Sequence, residues 1–394
     1  MDFGGLHRLF TDFLPAGWEW IAFAVAGFLL SFAVINVMIG LTAVYTWFER
    51  RALGRFQTRL GPNRWGPFGL FQPLADVLKL ITKEDVIPAV ADKIAFTLAP
   101  IVLLVPGFLV VAVLPVGAES FLGELNVGIL FVIGVTGVST LAIFMGAWGS
   151  RNKYAMFGAL RAVAMLISYE VPMALALTGV VITAGSLALL DIVTEQAVPF
   201  ALVQPLGFII FVTAALAEMN RTPFDLVEGE SELAGGYITE FSGMKFGIFQ
   251  LAEFMAPIVM SALATVLFLA GTKGWAPVPG LVWFALKAFL VLFFLLWVRA
   301  TWPRLRIDQV MAFAWKGLLP LALLNMFMVA LQVQLLQDPT TGELTSGDLW
   351  RMAAFNWPLA IGSIVVAANV LGQRRISRRP AAPSPLANMT AEGD

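Results

Sequence analysis

The chain has 394 residues, of which 59% are hydrophobic and only 13% charged, and its mean hydropathy is +0.83. A water-soluble domain carries about 25% charged residues, so this composition excludes a soluble globule and points to lipid as the solvent for much of the surface. The 25 Lys and Arg against 26 Asp and Glu leave no basic excess to neutralise phosphates, which argues against nucleic acid as a partner.

The pattern predicts an all-α polytopic membrane protein of about nine transmembrane helices, with an amphipathic helix on the cytoplasmic surface. A single transmembrane domain is expected over residues 1–372 and a disordered tail over 373–394. No cleavable leader is expected: Met1 to Gly17 holds Asp2 and Asp12, and the apolar run after it exceeds the ~7–15-residue core of a signal peptide.

A spanning helix needs roughly 20 mainly apolar residues. The candidates are Trp18–Trp47, Ile94–Leu114, Asn126–Trp148, Leu160–Thr183, Pro205–Met219, Phe246–Ala270, Leu281–Val298, Val310–Leu336 and Leu349–Leu371, the fifth being the shortest. These runs are continuous rather than alternating, which argues against a β-barrel.

Lys and Arg gather in the loops after odd-numbered helices. The first holds Arg50, Arg51, Arg55, Arg59 and Arg64, later ones Arg151, Lys153, Arg221, Lys245, Arg299, Arg304 and Arg306, and the tail adds Arg374 to Arg379. By the positive-inside rule the N-terminus is expected outside and the C-terminus in the cytoplasm. An odd number of helices agrees with opposite termini.

The loop from Glu49 to Lys93 carries its own periodicity. Phe71, Leu74, Leu78 and Ile81 share one helical face, and Gln72, Asp76, Lys79 and Lys83 another. A helix over about 66–84 lying along the membrane surface fits this; a helix packed only for structure fits as well. The tail from Gln373 is rich in Pro, Ala and Arg and suits contact with anionic lipid head groups.

Chemistry is expected at ionisable groups inside spans, which are costly there and usually functional. Glu170 lies within the fourth span, Glu253 within the sixth, and Glu218 at the cytoplasmic end of the fifth. A carboxylate can be charged or neutral at modest cost when buried, so these three can relay protons. The bland alternative is quiet pairing with a cation, most readily Glu218 with Arg221 three residues on. Asp225, Glu228, Glu230, Glu232 and Glu240 crowd the next loop and would titrate as a coupled group. That loop also reads as a solvated acidic segment, although Phe224, Leu226, Val227 and Leu233 are interleaved with the acids. The basic rim, with Glu49 and Asp76 among its arginines, suits either a soluble partner or the polar mouth of a site for an amphiphile.

Cysteine is absent, and the only histidine is His7. No thiolate-held iron–sulfur cluster, Cys-type zinc site or bis-histidine haem can be built by this chain alone. Neither a metal site nor a redox centre is expected, and no catalytic residue in the strict sense.

These same segments resemble a known family. ERRALGRFQ at 49–57, RLGPNR at 59–64 and GLFQPLADVLK at 69–79 look like the first signature of the quinone-site membrane subunit, at the heel of the membrane arm, of proton-pumping NADH:quinone oxidoreductase (respiratory complex I). PFDLVEGESEL at 223–233, with Gly236, looks like the second; RAVA at 161–164, ISYE at 167–170 and RATWPR at 299–304 are also similar. The matches run from about residue 44 to 320.

The resemblance implies a quinone chamber between this subunit and soluble iron–sulfur subunits, and a chain of acids leading toward small and antiporter-like membrane subunits. It implies quinone as substrate and nothing bound covalently, with FMN and iron–sulfur clusters in partner subunits. It assigns Arg50, Asp76, Lys79, Arg221 and Arg299 to the quinone side. To proton coupling it assigns Glu49, Glu170, Glu218, Asp225, Glu228, Glu230, Glu232 and Glu253. The chain departs from the family pattern at Met165, where Gln is usual, and in a third span without an acid. Competing readings are the related subunit of an energy-converting hydrogenase, a proton-coupled secondary transporter, and a purely structural anchor. No convincing repeat between the halves supports the transporter, and the intramembrane acids speak against the anchor.

Overall fold

The computed structural model describes residues 19–117, 125–226, 235–275, 277–337 and 344–376. Helices in chain order are α1 (Glu19–Phe56), α2 (Gln72–Thr82), α3 (Lys93–Val113), α4 (Gly128–Ser150), α5 (Lys153–Ala184), α6 (Leu189–Glu195), α7 (Phe200–Val203), α8 (Pro205–Glu218), α9 (Gly243–Phe268), α10 (Gly280–Thr301), α11 (Ile307–Phe313), α12 (Leu319–Leu336) and α13 (Ser346–Ile376). Short 3₁₀ turns lie at Pro67–Gly69 and Gly236–Ile238, and one π-helical turn at Ala314–Leu318 joins α11 to α12. Among the described residues there is no strand.

Among the described residues eight helices are long and apolar enough to cross a bilayer, and each matches an expected span. The fifth candidate is α8, with 14 residues. At ~1.5 Å per residue it is ~21 Å long, short of a ~30 Å hydrocarbon layer. Phe200–Val203 adds one turn before it, interrupted at Gln204, where φ is −129°. The expected helical surface segment is present as α2, which starts with a Pro at its first turn and has no buried residue.

Among these spans α5 is the hub. It packs on α4, α8 and α12, and Met165, Tyr169 and Leu177 on it are nearly inaccessible. Small residues allow the close approaches that membrane packing needs. A Cβ on Gly149 of α4 would lie 2.8 Å from the Phe96 backbone nitrogen of α3, and one on Gly158 of α5 would lie 2.8 Å from Gly236 Cα. The second contact clamps the 236–238 turn against α5. Helix α1 stands at the edge: 11% of its apolar stretch is buried within the chain, against 67% for α9. Phe28, Phe32 and Val37 on α1 are therefore free to face lipid.

With 38 residues, α1 is ~57 Å long, longer than a ~30 Å hydrocarbon layer, and its last turns carry Glu49, Arg50 and Arg51. The chain is turned back there by Phe68, whose φ is 55°, a conformation unusual for a bulky residue. It is held by its neighbours. Arg51 donates to the Phe68 carbonyl at 2.7 Å and Trp47 Nε1 donates to it at 3.0 Å, while the Arg51 guanidinium lies 5.0 Å from the Phe68 ring centre. This locks α2 beside the end of α1. On its other side α2 meets α9, where Leu80 fills the space left by Gly247.

Candidate functional site

The end of α1 presents two consecutive charges to two different environments, because successive helical residues point ~100° apart. Arg50 faces outward and pairs with Asp76 of α2 at 2.6 Å, and Lys79 approaches the same carboxylate at 3.7 Å. Gln72 also donates to Asp76, at 3.4 Å. Arg50 and Lys79 are largely exposed, so this is a polar rim with cations available at the surface. The Arg50, Asp76 and Lys79 of the first signature thus form one cluster.

Glu49 faces inward and is 1% exposed. It receives Arg221 at 3.1 Å and also pairs with Arg299 of α10. Arg221 in turn reaches Glu253 of α9 at 3.3 Å, and its guanidinium lies 4.8 Å from the Phe254 ring centre. Two arginines and two glutamates from four separate segments therefore make one charge-balanced group, with Glu49 and Arg221 buried at its centre and Arg299 partly exposed. Opposite charges removed from water need such mutual satisfaction, and loss of one partner leaves the other uncompensated. Arg221 sits inside the bundle rather than on the rim, and it does not pair with Glu218, its neighbour in sequence. Tyr45, one turn before Glu49 on the same face, lies within electrostatic reach of Arg221, Arg299 and Glu253. Its spacing of four residues from Glu49 was the available signal for this tyrosine.

Beyond Glu253 lies a cavity of about 100 Å³ lined by Glu253 and Glu218 together with Thr136, Ser139, Asn220 and Tyr237. Glu253 Oε2, Glu218 Oε2 and Asn220 Oδ1 are buried without a protein partner, and all three residues line this cavity. Convergent polar atoms around a space of this size suit bridging water. The Thr136 hydroxyl, which donates to the Ile133 carbonyl of its own helix at 3.1 Å, and Glu170 of α5 both lie within electrostatic reach of Glu218. Glu170 Oε1 also lies against Gly137 of α4, 3.5 Å from where a Cβ would stand. The intramembrane acids thus follow one another from Glu49 to Glu253, across the cavity to Glu218, and on to Glu170. Thr136, Ser139 and Asn220 escaped the sequence reading because uncharged polar residues in apolar spans usually bond their own helix.

The acidic segment is only partly described. Asp225 pairs with Arg304 at 3.0 Å, and Arg304 also donates to the Asp225 carbonyl. Glu240 accepts from Asn152 at 2.6 Å, and Asn152 caps the start of α5. These two acids bind other loops rather than standing in water. Glu228, Glu230 and Glu232, like the tail from residue 377, lie outside the described residues. Ser168 and Tyr169, beside Glu170, are fixed by the segment around the π turn: Trp315 donates to Ser168 at 3.1 Å and Tyr169 donates to the Val310 carbonyl at 3.1 Å. Among the described residues no group of His, Cys, Asp and Glu is arranged to hold a metal ion.

A family model described as NADH dehydrogenase matches residues 29–330, which span every group from Tyr45 to Trp315 named above. The H subunit of NADH-quinone oxidoreductase from Dehalococcoides mccartyi strain CBDB1 is 50% identical over 316 residues, covering 80% of this chain and 88% of that protein. The same protein from Geobacillus kaustophilus strain HTA426 is 48% identical over 324 residues, covering 80% of this chain and 95% of the relative. Its counterpart from Bacillus cereus strain B4264 is 48% identical over 328 residues, with coverage of 80% and 96%.

Proposed function

Because this chain belongs to the NADH dehydrogenase family, we propose that it is the membrane subunit of an NADH:quinone oxidoreductase that takes part in quinone binding and couples quinone reduction to proton translocation. The observation that carries the reading is the continuous line from the Arg50–Asp76 rim through the buried Glu49–Arg221–Glu253 group to Glu218 and Glu170.

In this reading the quinone tail comes from lipid and the head group is guided past Arg50, Asp76 and Lys79. Soluble iron–sulfur subunits, docked on the basic loops, deliver electrons; FMN and the clusters belong to them. Quinone reduction changes the local charge near Glu49. Arg221 responds because it is shared between Glu49 and Glu253, so a change in one pair alters the other. Glu253 then exchanges a proton through the cavity with Glu218, and Glu218 with Glu170. Asp225 and the acids of the following loop take part at the same edge. The small and antiporter-like membrane subunits receive the signal beyond Glu170. In this reading the N-terminus faces outward and the C-terminus the cytoplasm of a bacterial plasma membrane, an orientation that the loop cations support.

Assembly tests this. Purification through a tag in mild detergent should recover iron–sulfur subunits together with this chain, and quinone reductase activity with them. A lone monomer that carries the activity would overturn the proposal.

A further inference from the structure

Between α8, α10, α12 and α13 lies a second cavity, of about 520 Å³, with walls that are almost wholly apolar. Its size falls in the range of small-molecule sites, ~300–1,000 Å³. Leu216 closes it from α8, Phe294 from α10, and Ile364, Ala367 and Ala368 from α13. The α13 wall lies outside the matched family region, which ends at residue 330. None of the residues in the buried ion group lines it, although Val298, next to Arg299, does.

The wall contributed by the segment after α10 has a distinct chemistry. Trp302 and Leu305 form it. Trp302 is 60% exposed, and an indole of this kind sits at the boundary between hydrocarbon and head groups. Arg306 follows Leu305 and is exposed. Arg304 is already committed to Asp225, whereas Arg306 has no salt bridge among the described residues. Apolar cavities do not hold water, and a cation beside an interhelical pocket at the membrane surface is the arrangement that receives an anionic head group.

We propose that this cavity is a binding site for an anionic phospholipid, with one acyl chain against Leu216, Phe294 and Ala367 and the phosphate at Arg306. The occupant seals α13 to the family core. The site depends only on the membrane location of the chain and not on the quinone reading.

The test uses the purified whole complex in nanodiscs containing phosphatidylglycerol with a diazirine on one acyl chain. After photolysis, labelled positions are mapped by peptide mass spectrometry, with Phe28 on the lipid-facing side of α1 as the reference for casual contact. Labelling within Leu206–Leu216 and Ile364–Ala368 should exceed the Phe28 level. It should fall to that level in Ala367→Trp, which fills the cavity. Arg306→Gln, a surface change that leaves the walls intact, should lower labelling by phosphatidylglycerol and leave that by the phosphatidylcholine analogue unchanged. Labelling no higher than at Phe28, or unaltered by both variants, would overturn the proposal. So would preferential labelling by a quinone with a diazirine on its tail, or protection of the cavity by a helix of another subunit.

Discussion

Glu49 and Arg50 are neighbours in α1 that serve two clusters: Glu49 is 1% exposed and bound by Arg221 and Arg299, whereas Arg50 stands at the surface 2.6 Å from Asp76. One helical residue thus separates the rim where a head group would arrive from the ion group that leads into the membrane. The two residues are consecutive in one unbroken helix, with no loop between them.

The rim pair is exposed and contributes little to folding, as surface pairs are worth ~0–1 kcal/mol. Asp76→Asn and Arg50→Gln should therefore assemble at wild-type levels and lower quinone reduction several-fold. NADH oxidation with ferricyanide, which takes electrons upstream, should be spared. The two assays on the same membranes separate a binding defect from an assembly defect, since the latter lowers both.

The buried group behaves differently. Arg221→Met leaves Glu49 and Glu253 without a shared cation, and stripping one partner from a buried pair costs ~3–5 kcal/mol. The expected outcome is reduced complex content in membranes and a lower thermal transition of what remains. Arg221→Lys should rescue part of the content but not full turnover, because an ammonium cannot present the guanidinium's paired donors to both carboxylates. A wild-type thermal transition for Arg221→Met would show that the ion group is not under this constraint.

Thr136 is an uncharged residue that lines the same cavity as Glu218, its hydroxyl donating to the Ile133 carbonyl. Thr136→Val keeps the shape and removes the hydroxyl from the cavity wall, a change of ~0.5–1.5 kcal/mol for a neutral hydrogen-bonding group. Turnover and pumping should both fall while complex content holds. Thr136→Ser, which restores the donor, should recover them; failure of Ser to recover would place the effect in packing instead.

The spans were legible because a bilayer demands long apolar helices with satisfied backbones, and α2 was legible from its two faces. The shortness of α8 was visible as a weak fifth candidate, but its break at Gln204 was not. No local signal marks where a buried amide, here donating to the Gly179 carbonyl and the Thr183 hydroxyl, can stand in for helix continuity. Glu170 and Glu253 stood out as acids in apolar runs. That Arg221 would serve Glu49 and Glu253 rather than nearby Glu218 could not be read, because their sequence separations hide a contact made only by tertiary packing.

Proton translocation in closed vesicles, measured with the quinone reductase rate at matched complex content, tests the coupling claim most directly. Gln has the shape of Glu and cannot titrate, so Glu253→Gln and Glu170→Gln should keep the fold and reduce pumping. In a tightly coupled machine turnover should slow as well. Wild-type pumping and wild-type turnover in both variants would contradict the relay and leave these acids as structural elements of the bundle.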